Sequence, residues 1–381
     1  MKALLLSITA GQGHHATAKA LNDCFQEMGV ETTTIDTYEY ASQSLKTFID
    51  KGYLLSTAKV PKAYGKGYDL VASRKGSPSE HSLTALFNKI ISHELADCVR
   101  ELNPDIVVCT HPFAAAVANI LKKQGHIRGI VAGVVTDFTV HPIWEETIGI
   151  DYYITASELL ALQLKKKSID TNKMLPFGIP IHPKFSKKHS RKWAAAQLGI
   201  DPEKKTILIM SGSMGFGKMN ESVDLLDDLD MDFQALVVCG NNKAVKNKIE
   251  KKQYRHDFRV FGYVNNVDVM MDASDCIITK PGGITTSESL AKGIPMIMIN
   301  PIPGQEARNV EFLLNNQLGI LVTKTFPIDE AVMTLFNDER HLPLLEKNIA
   351  LHAKKNSSQS CCEFLVARAK ERNDTIKVYE R

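Results

Sequence analysis

The stretch that decides the fold is Lys280–Asn309, KPGGITTSESLAKGIPMIMINPIPGQEARN. The run CIIT at 276–279 before it is short, apolar and β-prone, so the PGG turn at 281–283 is expected at the carboxyl end of a strand. A helix is expected to begin near Thr285, with the hydroxyls of TTS at 285–287 as candidate caps. The apolar run IPMIMI then predicts the next buried strand, and PGQE its exit loop.

This stretch has the chemistry of a nucleotide-sugar site. Free N–H groups and the positive end of the helix dipole at the PGG turn would suit a phosphate. Glu288, about one turn into the helix, could accept hydrogen bonds from the hydroxyls of a ribose. Gln305 and Glu306 in the exit loop could bond a polyhydroxylated group, and Lys280 could face a phosphate or solvent.

Size and composition indicate an ordinary soluble protein of two domains. A length of 381 residues is large for one core, and the hydrophobic content is 44%. The net charge of +3 gives no argument for nucleic acid. No apolar run is long enough to cross a bilayer, and Met1-Lys2 leads into a predicted strand rather than a signal peptide. The seven cysteines have no paired spacing, which favours buried free thiols and the cytosol.

Strand-like and helix-like segments alternate along the chain, which predicts parallel sheets covered on both faces. The segment KMLPFGIPIHPKF at 173–185 has three prolines and no helical period, and it is interpreted as the hinge between two doubly wound domains, with the break near residue 180. Two such Rossmann-like domains would leave a ligand cleft between the carboxyl ends of their sheets. The apolar strand-like runs are ALLLSI, TTTID, DIVVCT, GIVAGVVTD and DYYITA in the first half and KTILIMSG, FQALVVCG, RVFGYV, CIITK, PMIMIN and GILV in the second.

One region breaks the alternation. Residues 45–75 interleave lysines and arginine with aromatic residues, a composition suited to an anionic membrane surface. A solvated, partly helical insertion explains the composition equally well.

The first predicted strand is followed by Gly11-Gln12-Gly13-His14-His15-Ala16, which opens a helix. This matches the G-x-G-x-x-A form of the dinucleotide fingerprint, and Asp36 lies where a ribose-binding acid would be expected. A nicotinamide enzyme is therefore one hypothesis. The dinucleotide interpretation gives His14 no role. The His14 imidazole projects from the turn and could take a proton from a hydroxyl nucleophile, or it could make only a local capping bond.

Two further patterns resemble known motifs incompletely. GSMGFGK at 212–218 fits the P-loop spacing, but Met219 replaces the hydroxyl residue that holds magnesium, so a P-loop ATPase is not predicted. Its turn could still offer N–H groups, and Ser213 a hydroxyl, to a diphosphate. Asp137 and His141 have the spacing of helical metal ligands, but Pro142 argues against a helix and no third ligand is apparent, so no metal site is predicted.

Asp137 and His111 both follow predicted strands. Asp137 is expected to orient a group in the cleft or the acceptor, or else to cap a helix, and His111 in THPF has the same two interpretations.

Taken together, GxGH, THPF, VTDFxxHxxW, GIPIHPxF, FGYVNN, ITKPGGITTSE and NPIPGQExxN resemble the glycosyltransferase family of monogalactosyldiacylglycerol synthases and bacterial processive diacylglycerol glucosyltransferases. The N-acetylglucosaminyltransferase that makes lipid II is a more distant relative. The resemblance runs from Ala3 to about residue 325. It implies an α/β GT-B fold of two Rossmann-like parallel-sheet domains, an inverting mechanism without a metal or cofactor, and a UDP-sugar donor held by the second domain.

The resemblance also implies roles for individual residues. His14 would be the general base, with Asp137 beside it as a second catalytic residue. Val264 would meet uracil, Glu288 the ribose, and Gln305 and Glu306 the hexose. The diphosphate would be lined by Gly282, Gly283 and Thr285, with Gly212 and Ser213 from the looser GSMGFGK loop. The acceptor and the membrane would be contacted by Gly13, His111, Lys59, Lys62, Tyr64 and Lys66.

The expected function is therefore transfer of a hexose from UDP-glucose or UDP-galactose to diacylglycerol or a related lipid, by a cytoplasmic enzyme peripheral on the inner face of the membrane. The expected domains are an acceptor- and membrane-binding domain at 1–180, a UDP-sugar domain at 181–355, and a last helix at 356–381 that returns to the first domain. Three alternatives stay open: an NAD(P)-dependent oxidoreductase, a UDP-GlcNAc transferase acting on a polyprenyl-linked acceptor, and a non-catalytic UDP-sugar-binding regulator.

Overall fold

A computed structural model describes residues 1–9, 12–41, 83–210 and 219–379. The chain divides into two compact units. The first unit contains Met1–Pro183, Pro303–Gln305 and Asn356–Arg381, and the second contains Lys184–Ile302 and Glu306–Lys355. Each unit is built around one parallel sheet, which confirms the predicted doubly wound α/β class.

The first unit holds a six-stranded parallel sheet in the order β2-β1-β3-β4-β5-β6. Its central strands are continuous apolar runs because helices cover both faces; Ile106, Val107 and Val108 in β3, for example, are fully buried. The threonine-rich β2 lies at one edge and is only partly buried. The strands are β1 (Lys2–Ser7), β2 (Glu31–Asp36), β3 (Ile106–Cys109), β4 (Ile130–Val134), β5 (Tyr152–Ile154) and β6 (Met174–Leu175).

The helices of the first unit alternate with these strands. The last helix of the chain packs against the first one: Cys361, Cys362 and Leu365 share a core with Leu21 and Phe25. The helices are α1 (Gln12–Glu27), α2 (Thr37–Ala41), α3 (Leu83–Leu102), α4 (Pro112–Lys123), α5 (Ala161–Lys166) and, at the end of the chain, α14 (Ser357–Tyr379). Short 3₁₀ turns at Pro142–Thr147, Glu158–Leu160 and Thr171–Lys173 complete the connections.

The second unit repeats the plan with the strand order β12-β11-β10-β7-β8-β9, again all parallel. Its strands are β7 (Lys205–Met210), β8 (Phe233–Val238), β9 (Asp257–Phe261), β10 (Cys276–Thr279), β11 (Met296–Met298) and β12 (Gly319–Leu321). Its helices are α6 (Arg191–Leu198), α7 (Met219–Asp227), α8 (Lys243–Glu250), α9 (Val267–Ala273), α10 (Gly283–Lys292), α11 (Gln305–Asn315), α12 (Ile328–Asn337) and α13 (His341–His352). α11 begins at Gln305, the last residue of the segment grouped with the first unit.

Every strand-like run of the sequence overlaps one of these strands, and Cys109, Cys239 and Cys276 are buried free thiols as predicted. The exception is β6, which lies inside the proline-rich hinge segment and was not predicted. Two residues are too few for an alternation or an apolar run to be recognised, and β6 exists because it pairs with β5.

In a parallel sheet all carboxyl ends lie at one edge, so the loops that follow the strands share that edge. In the first unit these loops carry His14 after β1, His111 after β3 and Asp137 after β4. In the second unit they carry the PGG turn after β10, and β11 is followed by the PGQE loop, of which Pro303–Gln305 are grouped with the first unit and Glu306 with the second. Across the described ranges, none of the helices combines the length and the apolar character that crossing a membrane requires.

Candidate functional site

His14 lies in the first turn of α1, only 9% exposed. Its Nδ1 is 2.7 Å from the carbonyl oxygen of Thr110, just beyond the end of β3. A carbonyl can only accept, so Nδ1 carries the proton and donates it. In the neutral ring Nε2 is then unprotonated, which is the form a general base needs. The local capping bond that the sequence allowed is replaced by this contact between distant parts of the chain.

Electrostatics keep this ring neutral. Burial lowers the pKa of His14 to about 4; the hydrogen bond to Thr110 opposes that shift, and the neighbouring His15 adds slightly to it. At neutral pH the resting protein therefore presents an imidazole with a free lone pair on Nε2.

His111 has the opposite tautomer. It caps α4, and its Nδ1 accepts the N–H of Phe113 at 3.2 Å. Nδ1 therefore carries no proton, and the neutral ring must hold it on Nε2. Burial, with smaller contributions from His14 and His141, holds the pKa of His111 well below its usual value. The rings of His14 and His111 meet edge to face, 4.6 Å between centroids.

Asp137 lies three residues beyond β4. Its two carboxylate oxygens accept from Nε2 of Gln305 at 3.0 and 3.2 Å, a contact within the first unit. The capping role that the sequence allowed for Asp137 belongs instead to His141, whose Nδ1 accepts the N–H of Ile143 at 3.2 Å. Asp137 is thus held by an amide from the PGQE loop, a contact that no sequence pattern indicated.

The acid expected for a dinucleotide ribose is already used by the protein. Asp36 accepts from the N–H and the hydroxyl of Thr9 and from the N–H groups of Tyr38 and Glu39. Burial alone would raise the pKa of Asp36, but these hydrogen bonds together lower it. His15 bonds the same Thr9 hydroxyl at 2.8 Å. Asp36 therefore anchors the β1–α1 loop, and the dinucleotide hypothesis loses its ribose contact.

In the second unit the helix after β10 begins two residues earlier than predicted. α10 starts at Gly283 with Gly282 as its N-cap, so Thr285, Thr286 and Ser287 lie inside the helix and the prediction that they cap it was wrong. Ser287 instead donates back to the carbonyl of Gly283 at 2.8 Å. Gly282 has no side chain to cap the helix and its first turn contains no acid, so within the described part of the chain the terminal N–H groups of α10 have no side-chain cap.

Two side chains of α10 lack partners. Glu288 is half-buried and receives no hydrogen bond from the described residues. Burial raises its pKa to about 8, with Lys184 lowering and Asp268 raising the value. Thr286 is fully buried, and its hydroxyl has no partner within the described part of the chain. A buried carboxyl with nothing to bond is a typical ligand-binding group.

Glu306 is tied to the protein at both oxygens. One accepts from Nζ of Lys280 at 3.3 Å and the other from the N–H of Ile302 at 2.7 Å. Asn309, also missed by sequence reasoning, is fully buried and donates to the carbonyl of Pro281 at 3.0 Å. The PGG turn and the PGQE loop are therefore braced against each other, and Lys280 faces Glu306 rather than only solvent.

Val264 follows β9 and is half-buried. Its backbone N–H and C=O make no hydrogen bond within the described residues, so both groups could serve a ligand. Gly13 lies in the first turn of α1. Six predicted site residues lie outside the described residues: Gly212, Ser213, Lys59, Lys62, Tyr64 and Lys66. Across the parts of the chain that are described, no three His, Cys, Asp or Glu side chains are grouped to hold a metal ion.

Comparison with known proteins agrees with this division of the chain. Residues 14–181 match the family model of monogalactosyldiacylglycerol (MGDG) synthase, and residues 206–355 match the model of the glycosyltransferase family 28 C-terminal domain.

Curated relatives extend along nearly the whole chain. A processive diacylglycerol beta-glucosyltransferase of Bacillus pumilus is 29% identical over 389 residues, covering 100% of this chain and 98% of the relative. The chloroplastic monogalactosyldiacylglycerol synthase 1 of Arabidopsis thaliana is 28% identical over 368 residues, covering 93% of this chain and 68% of the relative.

Among solved structures, MurG of Acinetobacter baumannii superposes with a TM-score of 0.64 at 13% identity, covering 96% of this chain and 100% of that protein. At that identity the likeness concerns the fold alone, and it confirms the predicted GT-B class.

The opposite tautomers of His14 and His111 can be observed directly. In the folded protein, nitrogen-15 NMR is expected to show Nδ1–H for His14 and Nε2–H for His111, with neither ring titrating near its ordinary value of about 6.5. For His14 protonation is expected only toward pH 4, so its contribution to stability is complete above about 6.5 and is lost as the pH falls toward 4. In urea both rings should titrate normally. Equal tautomers, or titration of both rings near neutrality in the folded protein, would contradict the arrangement.

Proposed function

We propose that this chain transfers a hexose from UDP-glucose or UDP-galactose to the free hydroxyl of diacylglycerol, with inversion and without a metal ion. The chain belongs to the glycosyltransferase family of monogalactosyldiacylglycerol synthases and processive diacylglycerol glucosyltransferases. The observation that carries this proposal is the tautomer of His14, which leaves Nε2 as a proton acceptor in the first turn of α1.

In the proposed step the acceptor oxygen attacks the anomeric carbon, the bond from that carbon to the β-phosphate oxygen breaks, and the hydroxyl proton passes to Nε2 of His14. A base whose pKa is about 4 removes a proton poorly from a free alcohol. Once the oxygen has bonded to the anomeric carbon it becomes an oxonium, which is a strong acid. The low pKa therefore favours late proton transfer, after most of the bond to the leaving group has broken.

The donor is assigned to the second unit. The N-terminus of α10 would receive the diphosphate, because its N–H groups have no side-chain cap and its dipole favours negative charge there. Gly282, Gly283 and Thr285 would line that position. The charge developing on UDP would be stabilised by these fixed dipoles, and this is our basis for proposing a metal-independent reaction.

The remaining donor contacts follow from which groups are unpartnered. Glu288 would take the ribose hydroxyls and the backbone of Val264 the uracil. Glu306 keeps a second lone pair on each oxygen, and Gln305 keeps its amide oxygen, so both could still accept bonds from a hexose. Asp137 accepts hydrogen bonds from Gln305 within the first unit and would thereby orient the Gln305 amide that is proposed to bond the sugar.

The acceptor is assigned to the first unit, and the enzyme is proposed to be peripheral on the inner face of the cell membrane. Leu159 and Leu162, before and within α5, are 51% and 62% exposed, and Lys165 and Lys166 beside them are also exposed. Gln163 of the same helix accepts the N–H of Val140 at 2.8 Å, next to the His141 loop. Apolar and basic side chains so close to the acceptor loops suit an anionic lipid surface. The free cysteines agree with a reducing compartment.

Replacing the base tests the mechanism. His14→Ala is expected to lower turnover by roughly 10²–10⁴ while leaving UDP binding nearly unchanged, since His14 would act only on the acceptor. The assay is mass spectrometry of lipids formed from diacylglycerol and a panel of UDP-sugars. His93→Ala, on the exposed side of α3, is the matched control. Near-full activity of His14→Ala would refute the base assignment, and wild-type protein that binds UDP but glycosylates no lipid would refute the function.

The raised pKa of Glu288 predicts a proton linkage. If ribose hydroxyls donate to its carboxylate, binding stabilises the ionised form, so affinity for UDP-sugar should rise with pH up to about 8 and level off above it. Calorimetry of UDP-glucose binding at pH 7, in buffers of different ionisation enthalpy, should show release of about 0.9 proton. Glu288→Gln should abolish this release. Equal proton release by the variant, or affinity that falls above pH 8, would show that Glu288 does not accept from the ribose.

The surface around α5 can be tested with vesicles. Leu159→Asn with Leu162→Asn should reduce flotation with phosphatidylglycerol-containing vesicles, and Lys165→Gln or Lys166→Gln should weaken binding about fivefold each, equivalent to about 1 kcal/mol per lysine near an anionic surface. Transfer to detergent-dispersed diacylglycerol should be unaffected. Leu351→Asn, at a position 71% exposed in the second unit, is the control. Equal loss in that control, or no loss in the α5 variants, would exclude this surface.

A further inference from the structure

His111 has one ring nitrogen engaged and one unused by the fold. Its Nδ1 accepts the N–H of Phe113 as the cap of α4, and its ring stacks on the Phe113 ring with centroids 5.2 Å apart. The cap and the stacking together define the plane of the imidazole. Nε2–H, the remaining polar group, has no hydrogen-bond partner within the described residues, although the side chain is only partly exposed.

This donor lies beside an acceptor of complementary polarity. The His14 ring, 4.6 Å away between centroids, donates through Nδ1 to Thr110 and so presents an unprotonated Nε2. A ligand that matches both rings has a hydroxyl, which can give its proton to one ring, and a second oxygen close by, which can accept from the other. A single hydroxyl could also donate to one ring and accept from the other, but a donor bound to its lone pair would make that oxygen a weaker nucleophile, so a second oxygen suits the pair better.

We infer that Nε2–H of His111 binds a second oxygen of the lipid acceptor. This oxygen is carried by the carbon next to the one that bears the attacking hydroxyl. This inference rests on the proposed function and adds a subsite to it. In diacylglycerol the adjacent oxygen belongs to an ester, which only accepts hydrogen bonds and therefore requires a donor. His111 accordingly fixes the rotation about the carbon–carbon bond that carries the hydroxyl, and so directs the hydroxyl proton toward His14.

The proposed subsite would distinguish acceptor lipids by whether they carry an oxygen that can accept the His111 hydrogen bond. A site that holds a buried donor discriminates against a substrate without the matching acceptor, because the donor is then left unpaired. An acceptor alcohol that carries CH₂ in place of the adjacent ester oxygen should react more slowly with the wild-type enzyme. The difference should disappear when His111 no longer supplies the donor.

The test is a cycle of two acceptors and three proteins. One acceptor is 1,2-diacylglycerol. The other is its analogue in which CH₂ replaces the ester oxygen on the carbon next to the hydroxyl-bearing carbon, and both are dispersed in the same detergent. The proteins are wild type, His111→Asn and His111→Ala. Asparagine is among the best N-cap residues, so His111→Asn keeps an acceptor for the Phe113 N–H while losing the donor at the Nε2 position, whereas alanine loses both.

We expect the wild type to favour diacylglycerol by about tenfold in kcat/KM, the effect of one hydrogen bond worth about 1.4 kcal/mol. His111→Asn should lose that factor on diacylglycerol and change less than about twofold on the analogue. Its Tm should equal that of the wild type, while the Tm of His111→Ala should fall because the cap of α4 is gone.

The outcomes separate the subsite from the function. Wild-type transfer to diacylglycerol with no preference over the analogue overturns the subsite alone, as does an equal loss by His111→Asn on both acceptors, which would mark His111 as purely structural. No wild-type transfer to either lipid, with UDP still bound, overturns the proposed function and the subsite with it.

Discussion

The hydrogen bond from Nδ1 of His14 to the carbonyl of Thr110 is the contact on which the proposed chemistry of the first unit depends. It joins the start of α1 to the end of β3, strands β1 and β3 being neighbours in the sheet. It also fixes the tautomer, so that Nε2 is unprotonated wherever the ring is neutral. Because Thr110 directly precedes His111, the same short segment that orients the His14 ring also positions the second histidine and the cap of α4. Both imidazole rings are therefore positioned by the end of one strand.

Hydrogen bonds also hold the loops of the second unit in place. Glu306 binds Lys280 and the N–H of Ile302, and Asn309 binds the carbonyl of Pro281, so the loops after β10 and β11 are held as one piece. Gly304 in the PGQE loop has a φ of +91°, a conformation that glycine adopts without strain. Among the described residues, no side chain hydrogen-bonds to the N-terminus of α10 or to the carboxyl of Glu288, and these are the groups proposed to bind the donor.

Sequence patterns were enough for the fold because parallel strands are continuous apolar runs bounded by turn residues. The elements that were missed or misplaced have specific causes. β6 is too short to have a pattern, and α10 begins at Gly283 because a glycine N-cap gives no hydroxyl or carboxylate signal. Within the candidate site, the sequence proposed His14 and Glu288 from their positions after strands, and their roles stay predictions. The partners of Asp137 and Glu306, and the tautomer of His111, depend on residues distant in sequence or on backbone geometry, which a pattern along the chain cannot record.

The two glutamates near the PGG turn differ in their hydrogen-bond and ion-pair partners, and this difference decides what each side chain can do. Glu306 is paired with a lysine, whereas Glu288 receives no hydrogen bond from the described residues and burial raises its pKa to about 8, so its carboxyl is mainly protonated at neutral pH in the resting protein. A neutral carboxyl does not repel an arriving diphosphate, as a second unpaired carboxylate close to the α10 N-terminus would. If ribose hydroxyls donate to it as proposed, ionisation becomes favourable and the charge is created only in the complex. The same burial that makes Glu288 a poor acid in isolation would then make it compatible with an anionic donor, and would couple donor binding to the release of a proton.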